Sequence, residues 1–165
     1  MNQNKRIVIA VFILVVIVGV VLGVDFIQRQ QAASVAPEDM PPGSIPIFVD
    51  GKFVASFVPD DLSQLEGTSF VDAEEGKTQE GWLLRDVLLL YVKESKLKAD
   101  TQVTVSSSSR EKSQTLTWAE VDAQENMVLF DLSGRGTLKL VSKIPSFDTR
   151  DDWVQDVDKI EVVQP

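Results

Sequence analysis

Residues 7–24, opening at Ile7 and closing at Val24, are drawn only from Ile, Val, Ala, Phe, Leu and Gly. Eighteen such residues make roughly 27 Å of α-helix, close to the hydrocarbon thickness of a bilayer. A surface helix needs a polar face, and this run has none to present. It is expected to be a transmembrane helix. A cleaved signal peptide shares the basic lead, but its apolar stretch is usually about 7–15 residues long and ends at a small-residue site. Val21 with Gly23 is a marginal site, and Ser34 with Ala36 is followed by Pro37. Lys5 and Arg6 precede the run, whereas Asp25 and a lone Arg29 follow it, so the positive-inside bias puts the N-terminus in the cytoplasm. The expected organisation is a cytoplasmic tail (1–6), an uncleaved signal anchor (7–24), a linker (25–44) and an extracytoplasmic domain (45–165), single-pass in the cell membrane.

The remainder of the chain is acidic. With Lys5 and Arg6 set aside, 14 basic residues stand against 25 acidic ones, a net −11. Such a surface repels phosphate backbones, which excludes nucleic acid as a partner. The chain has neither Cys nor His. Thiol nucleophiles, disulfides, the common zinc sites, haem and iron–sulfur ligation, and His-based triads are thereby removed.

Residues 28–44 read QRQQAASVAPEDMPPGS, a linker stiffened by Pro37, Pro41 and Pro42. Residues 45–58 read IPIFVDGKFVASFV, two apolar runs around Asp50-Gly51, which predicts a β-hairpin. A short helical turn is expected over 59–65 and a strand over 68–71. WLLRDVLLLYV, 82–92, places Leu83, Leu84, Val87, Leu88 and Tyr91 at helical spacing, with Arg85 and Asp86 outward. Strands are expected at 101–106, 113–117, 128–131, 138–141 and 160–163, with a short helix at 118–122 and a turn at Gly134-Arg135-Gly136. The pattern is α+β, mainly β, with one principal helix.

Taken in order, several of these segments resemble the molybdopterin-binding domain of the sulfite oxidase family. They are Gly81-Trp82-Leu83-Leu84-Arg85-Asp86-Val87-Leu88, Ala99-Asp100-Thr101-Gln102-Val103, Leu116-Thr117-Trp118-Ala119-Glu120, Gly136-Thr137-Leu138-Lys139-Leu140-Val141, and Trp153-Val154-Gln155-Asp156-Val157-Asp158-Lys159-Ile160-Glu161-Val162. The similarity runs from about residue 57 to 163. It implies a mixed, mainly-β α+β domain of sulfite-oxidase molybdopterin-binding type behind the N-terminal helix. In that family a cysteine thiolate binds molybdenum from the strand and loop before the Gly-hydrophobic-Leu helix start. The matching residues, Ser69, Phe70, Val71, Asp72 and Ala73, include none, and Ser106 to Arg110 replace the family's Gly-Tyr turn. The resemblance therefore implies the fold and withholds the cofactor, so no cofactor is expected.

Other constellations are weak. The acidic run 148–158 lacks the central Gly and final Glu of an EF-hand loop and reads as a solvated loop. Ser106 to Ser109 with Lys112 match neither nucleophile elbow nor S-x-x-K spacing. Glu74 and Glu75, as neighbours on a strand, are expected to point apart rather than work as a carboxylate pair. Trp82, Trp118 and Trp153, with Arg135, are candidates for a ligand or partner surface, although tryptophans at element starts also suit core packing. The function expected is a membrane-anchored binding or assembly module that meets another envelope protein or a small ligand. The alternatives are a degenerate molybdopterin-dependent oxidoreductase and an accessory subunit of a membrane redox complex, the latter drawing on Gly19 and Gly23 as a helix-packing G-x-x-x-G.

Overall fold

The computed structural model describes residues 40–165. The expected anchor, its tail and most of the linker lie outside the described residues. Among the described residues, no helix is long and apolar enough to cross a membrane.

The Asp50-Gly51 pair does what its chemistry demands: both residues have positive φ, 50° and 74°, turning β1 (Ile45–Val49) back into β2 (Lys52–Phe57). A 3₁₀ turn (Pro59–Gln64) leads to β3 (Thr68–Val71) and β4 (Thr78–Leu83). Then come helix α1 (Leu84–Tyr91), β5 (Gln102–Ser107), β6 (Lys112–Thr117) and helix α2 (Trp118–Asp122). β7 (Leu129–Leu132), β8 (Leu138–Val141) and β9 (Lys159–Val163) complete the order. The strands form a five-stranded sheet, β2-β1-β9-β5-β6, and a four-stranded sheet, β3-β4-β7-β8. All pairs are antiparallel except β1 with β9. The domain is α+β and mainly strand.

The sheets share one core. Phe57, closing β2, stacks on Tyr91 of α1 at 5.6 Å and lies 6.5 Å from the ring of Phe130 in β7. Leu84, Val87 and Leu88 of α1 are fully buried, as the helical spacing predicts. Burying side chains of this size contributes about 1.5–3 kcal/mol each.

The helix begins two residues later than expected. Trp82 and Leu83 belong to β4, paired with Phe130 and Leu129 of β7. Residues 79–81, Gln-Glu-Gly, lack the β-branched and aromatic side chains that strands favour, so propensity hides a strand that cross-strand pairing creates. The α1 N-terminus has no side-chain cap; instead the Leu84 N–H donates to the Val128 carbonyl at 2.9 Å. At α2, Thr117 and Glu120 form a reciprocal capping box.

Candidate functional site

β3 delivers Asp72 to the region where the resemblance would put a metal-binding thiolate. Asp72 is only 3% exposed. Its Oδ1 accepts the Glu75 N–H at 2.6 Å, and its Oδ2 accepts the Lys77 N–H at 3.2 Å and the Gln79 side-chain amide at 2.9 Å. These bonds, led by that from Glu75, hold its carboxyl below the usual aspartate range. The carboxylate thus closes its own turn. Gln79 in turn accepts from Lys139 Nζ at 2.7 Å, and the same ammonium lies 2.9 Å from Asp131 and 5.1 Å from the Trp153 ring centroid.

Glu74 and Glu75 sit on the turn after β3 rather than on a strand, and they converge. Glu74 accepts the Arg150 main-chain N–H at 3.0 Å, while Glu75 meets the Arg150 guanidinium and Lys77 Nζ, each at 2.6 Å. The Lys77 contact, then Arg150, lowers the Glu75 pKa. A molybdopterin does not fit this donor set. There is no thiolate, Asp72 is consumed by its loop, and the cations Lys77, Lys139 and Arg150 that would meet a phosphate are each held by carboxylates.

On another part of the domain a cleft of about 520 Å³ lies between residues 42–45, 58–60, 136–138 and 156–158, with Ser109. Asp156, in a left-handed conformation at φ 54°, organises its wall. Its carboxylate accepts from Thr137 Oγ1 at 2.8 Å, Arg110 Nε at 2.7 Å and Arg135 Nη2 at 3.0 Å. The Thr137 hydroxyl, followed by Arg110, depresses its pKa. Beside it, Asp158 Oδ2 accepts the Ser108 N–H at 2.7 Å, and its buried Oδ1 has no partner among the described residues. Within the run 148–158, Asp152, Asp156 and Asp158 are engaged by Thr149, by Thr137 with the two arginines, and by the Ser108 amide, whereas Asp148 and Asp151 have no side-chain hydrogen bond among the described residues. Among the described residues no group of acidic side chains is arranged to hold a metal ion.

The expected surface residues do not come together. Trp153 is 2% exposed and belongs to the core, under Lys139, because β8 pairs through Leu140 with its neighbour Val154. Trp118, at 6%, floors a groove with Leu89, Leu97 and the Arg85–Asp122 ion pair. Trp82 lines a shallow depression with Glu80 and Leu132. Arg135 alone stands beside the cleft, through Asp156. The sequence placed Asp72 in the thiolate region but not its role in closing the turn, although an Asp opening a short turn that contains Gly76 is a readable signal. Sequence reasoning missed Asp156, whose arginines lie 46 and 21 residues away.

No protein-family model matches the chain, and no curated protein matches it.

Proposed function

We propose that the chain is a membrane-anchored, extracytoplasmic binding or assembly module on a sulfite-oxidase-type frame that no longer takes the cofactor. The apolar run 7–24 with Lys5 and Arg6 supports the anchor and its direction. The frame is supported by how the quoted motifs fall on the elements. Gly81 leads from β4 into α1, Thr117 to Glu120 start α2, and 153–162 run into β9.

The observation that carries the reading is the Asp72 carboxylate, which accepts from Glu75, Lys77 and Gln79 within its own hairpin. A carboxylate spent on closing its own turn is not free to stand in for the missing thiolate, while the cleft beside Asp156 remains open to a small ligand or a partner's side chains. The test is purification of the full-length protein in mild detergent from cells that make molybdopterin, with bound proteins, molybdenum and pterin measured on one sample. A co-purifying envelope protein without molybdenum is expected. Stoichiometric molybdenum overturns the reading in favour of an oxidoreductase. A C-terminal reporter active only in the cytoplasm overturns the topology.

A further inference from the structure

Two open sheets have four edges, and each outer strand exposes unpaired main-chain groups that invite another strand. Three are blunted here. β2 opens on Lys52, and its register against β1 shifts between Ile47 and Phe48. β6 opens on Lys112 and is polar throughout its exposed positions. The free side of β8 is occupied, since Leu140 and Val154 exchange main-chain hydrogen bonds and the Val157 N–H donates to Leu138.

β3 is short, but among the described residues it has neither a charge, a bulge nor a covering segment. Its sequence, Thr68-Ser69-Phe70-Val71, holds no charge and no proline, and its register against β4 is unbroken. Apart from that ladder, no hydrogen bond among the described residues reaches its main chain. The pairs Ser69 with Glu80 and Val71 with Thr78 put these side chains on one face, which Trp82 and Leu132 extend. Val71 is 61% exposed and Leu132 44%. Glu80 takes part in no ion pair among the described residues.

We propose that β3 accepts an extended segment of another protein as a fifth strand, with a Lys or Arg opposite Ser69 and a branched apolar residue two positions away opposite Val71. The proposal rests on the binding-or-assembly reading and names its surface. Strands lie about 4.8 Å apart, so a side chain opposite Ser69 stands about 10 Å from the line of β4. A long cationic chain crosses that distance over the small serine to reach Glu80. The apolar residue covers Val71, as cross-strand pairs do. Charge selects the occupant: a chain of net −9 favours a basic segment, and two copies pairing edge to edge would bring Glu80 and the exposed Glu66 of each toward like charges. A four-residue edge supplies few main-chain bonds, so these two side-chain positions set the specificity.

The test uses the full-length protein in detergent micelles and a labelled synthetic peptide alternating threonine with lysine and valine, beside a version with glutamate for lysine. Saturable binding of the basic peptide is expected, with slowed amide exchange along β3. Ser69→Lys should weaken it at least about tenfold by setting cation against cation at the edge, and Glu80→Gln up to about fivefold. The acidic peptide should not bind. Equal binding of both peptides, indifference to both substitutions, or no binding overturns the inference. So does self-association of the peptide-free protein that Ser69→Lys abolishes, which assigns the edge to a second copy. If the peptide fails while an envelope protein still co-purifies with the Ser69→Lys variant, the edge proposal falls and the assembly reading stands.

Discussion

The main-chain oxygen of Phe130 lies 1.8 Å from where a Cβ on Gly81 would stand. At residue 81, β4 and β7 approach so closely that only a hydrogen fits, one residue before Trp82 pairs with Phe130. Gly81→Ala therefore forces the strands apart where α1 is about to begin. A loss of about 3 kcal/mol or more is expected by denaturant unfolding of the 43–165 fragment, in line with backbone-level overpacking. Gly134→Ala, with nothing within 4 Å of its Cβ position, should leave the midpoint nearly unchanged.

Phe57 joins the two sheets and the helix, being 1% exposed and in ring contact with both Tyr91 and Phe130. Phe57→Ala should cost about 3–5 kcal/mol through the cavity it leaves. The same fragment should show a single cooperative transition before and after the change, with the midpoint shifted and the slope retained.

Asp72→Ala removes the shared acceptor of the Glu75 and Lys77 amides. Hydrogen exchange at those two amides should accelerate roughly tenfold or more, while amides in β5 and β9 keep their protection. Uniform acceleration everywhere would mean that Asp72 supports the whole fold rather than its own turn.

The depressed pKa of Asp156 makes a prediction about acid. A carboxyl whose folded pKa lies below its unfolded value adds stability above the unfolded pKa, about 4, and loses it as pH falls through the folded value. Asp156→Asn should therefore be destabilising at pH 7 and flatten the fall in stability between about pH 5 and 3. Equilibrium unfolding across that range, at constant ionic strength, reads the difference directly.

Local chemistry was legible and long-range chemistry was not. The Asp50-Gly51 hairpin, the strand at 68–71, the helix at 118–122 and the Gly134-Arg135-Gly136 turn follow from residues adjacent in the chain, and each stands where expected. β4 was hidden because its strand character comes from β3 and β7 rather than from Gln79, Glu80 and Gly81. The convergence of Glu74 and Glu75 on Arg150 spans more than 70 residues, and reading the pair as a strand pointed the two carboxylates apart. Tryptophan chemistry fits a ligand surface and a core equally well. Only tertiary packing separates Trp153, which is fully buried, from Trp82, which is partly buried at the core's margin.

The position of β9 has a consequence for the order in which this protein can be made. It lies between β1 and β5, so two hairpins, β1-β2 and β5-β6, each wait with an inner edge open until residues 159–163 arrive. Asp50 then receives both the main-chain and side-chain N–H groups of Gln164, a clasp spanning 114 residues. A chain emerging N-terminus first holds its hairpins as separate, sticky pieces throughout synthesis, and only the arrival of β9 zips them into one sheet. A polypeptide cut short before Lys159 retains every hairpin and lacks the strand that joins them. Premature termination should therefore leave proteolytic debris rather than a partly working domain.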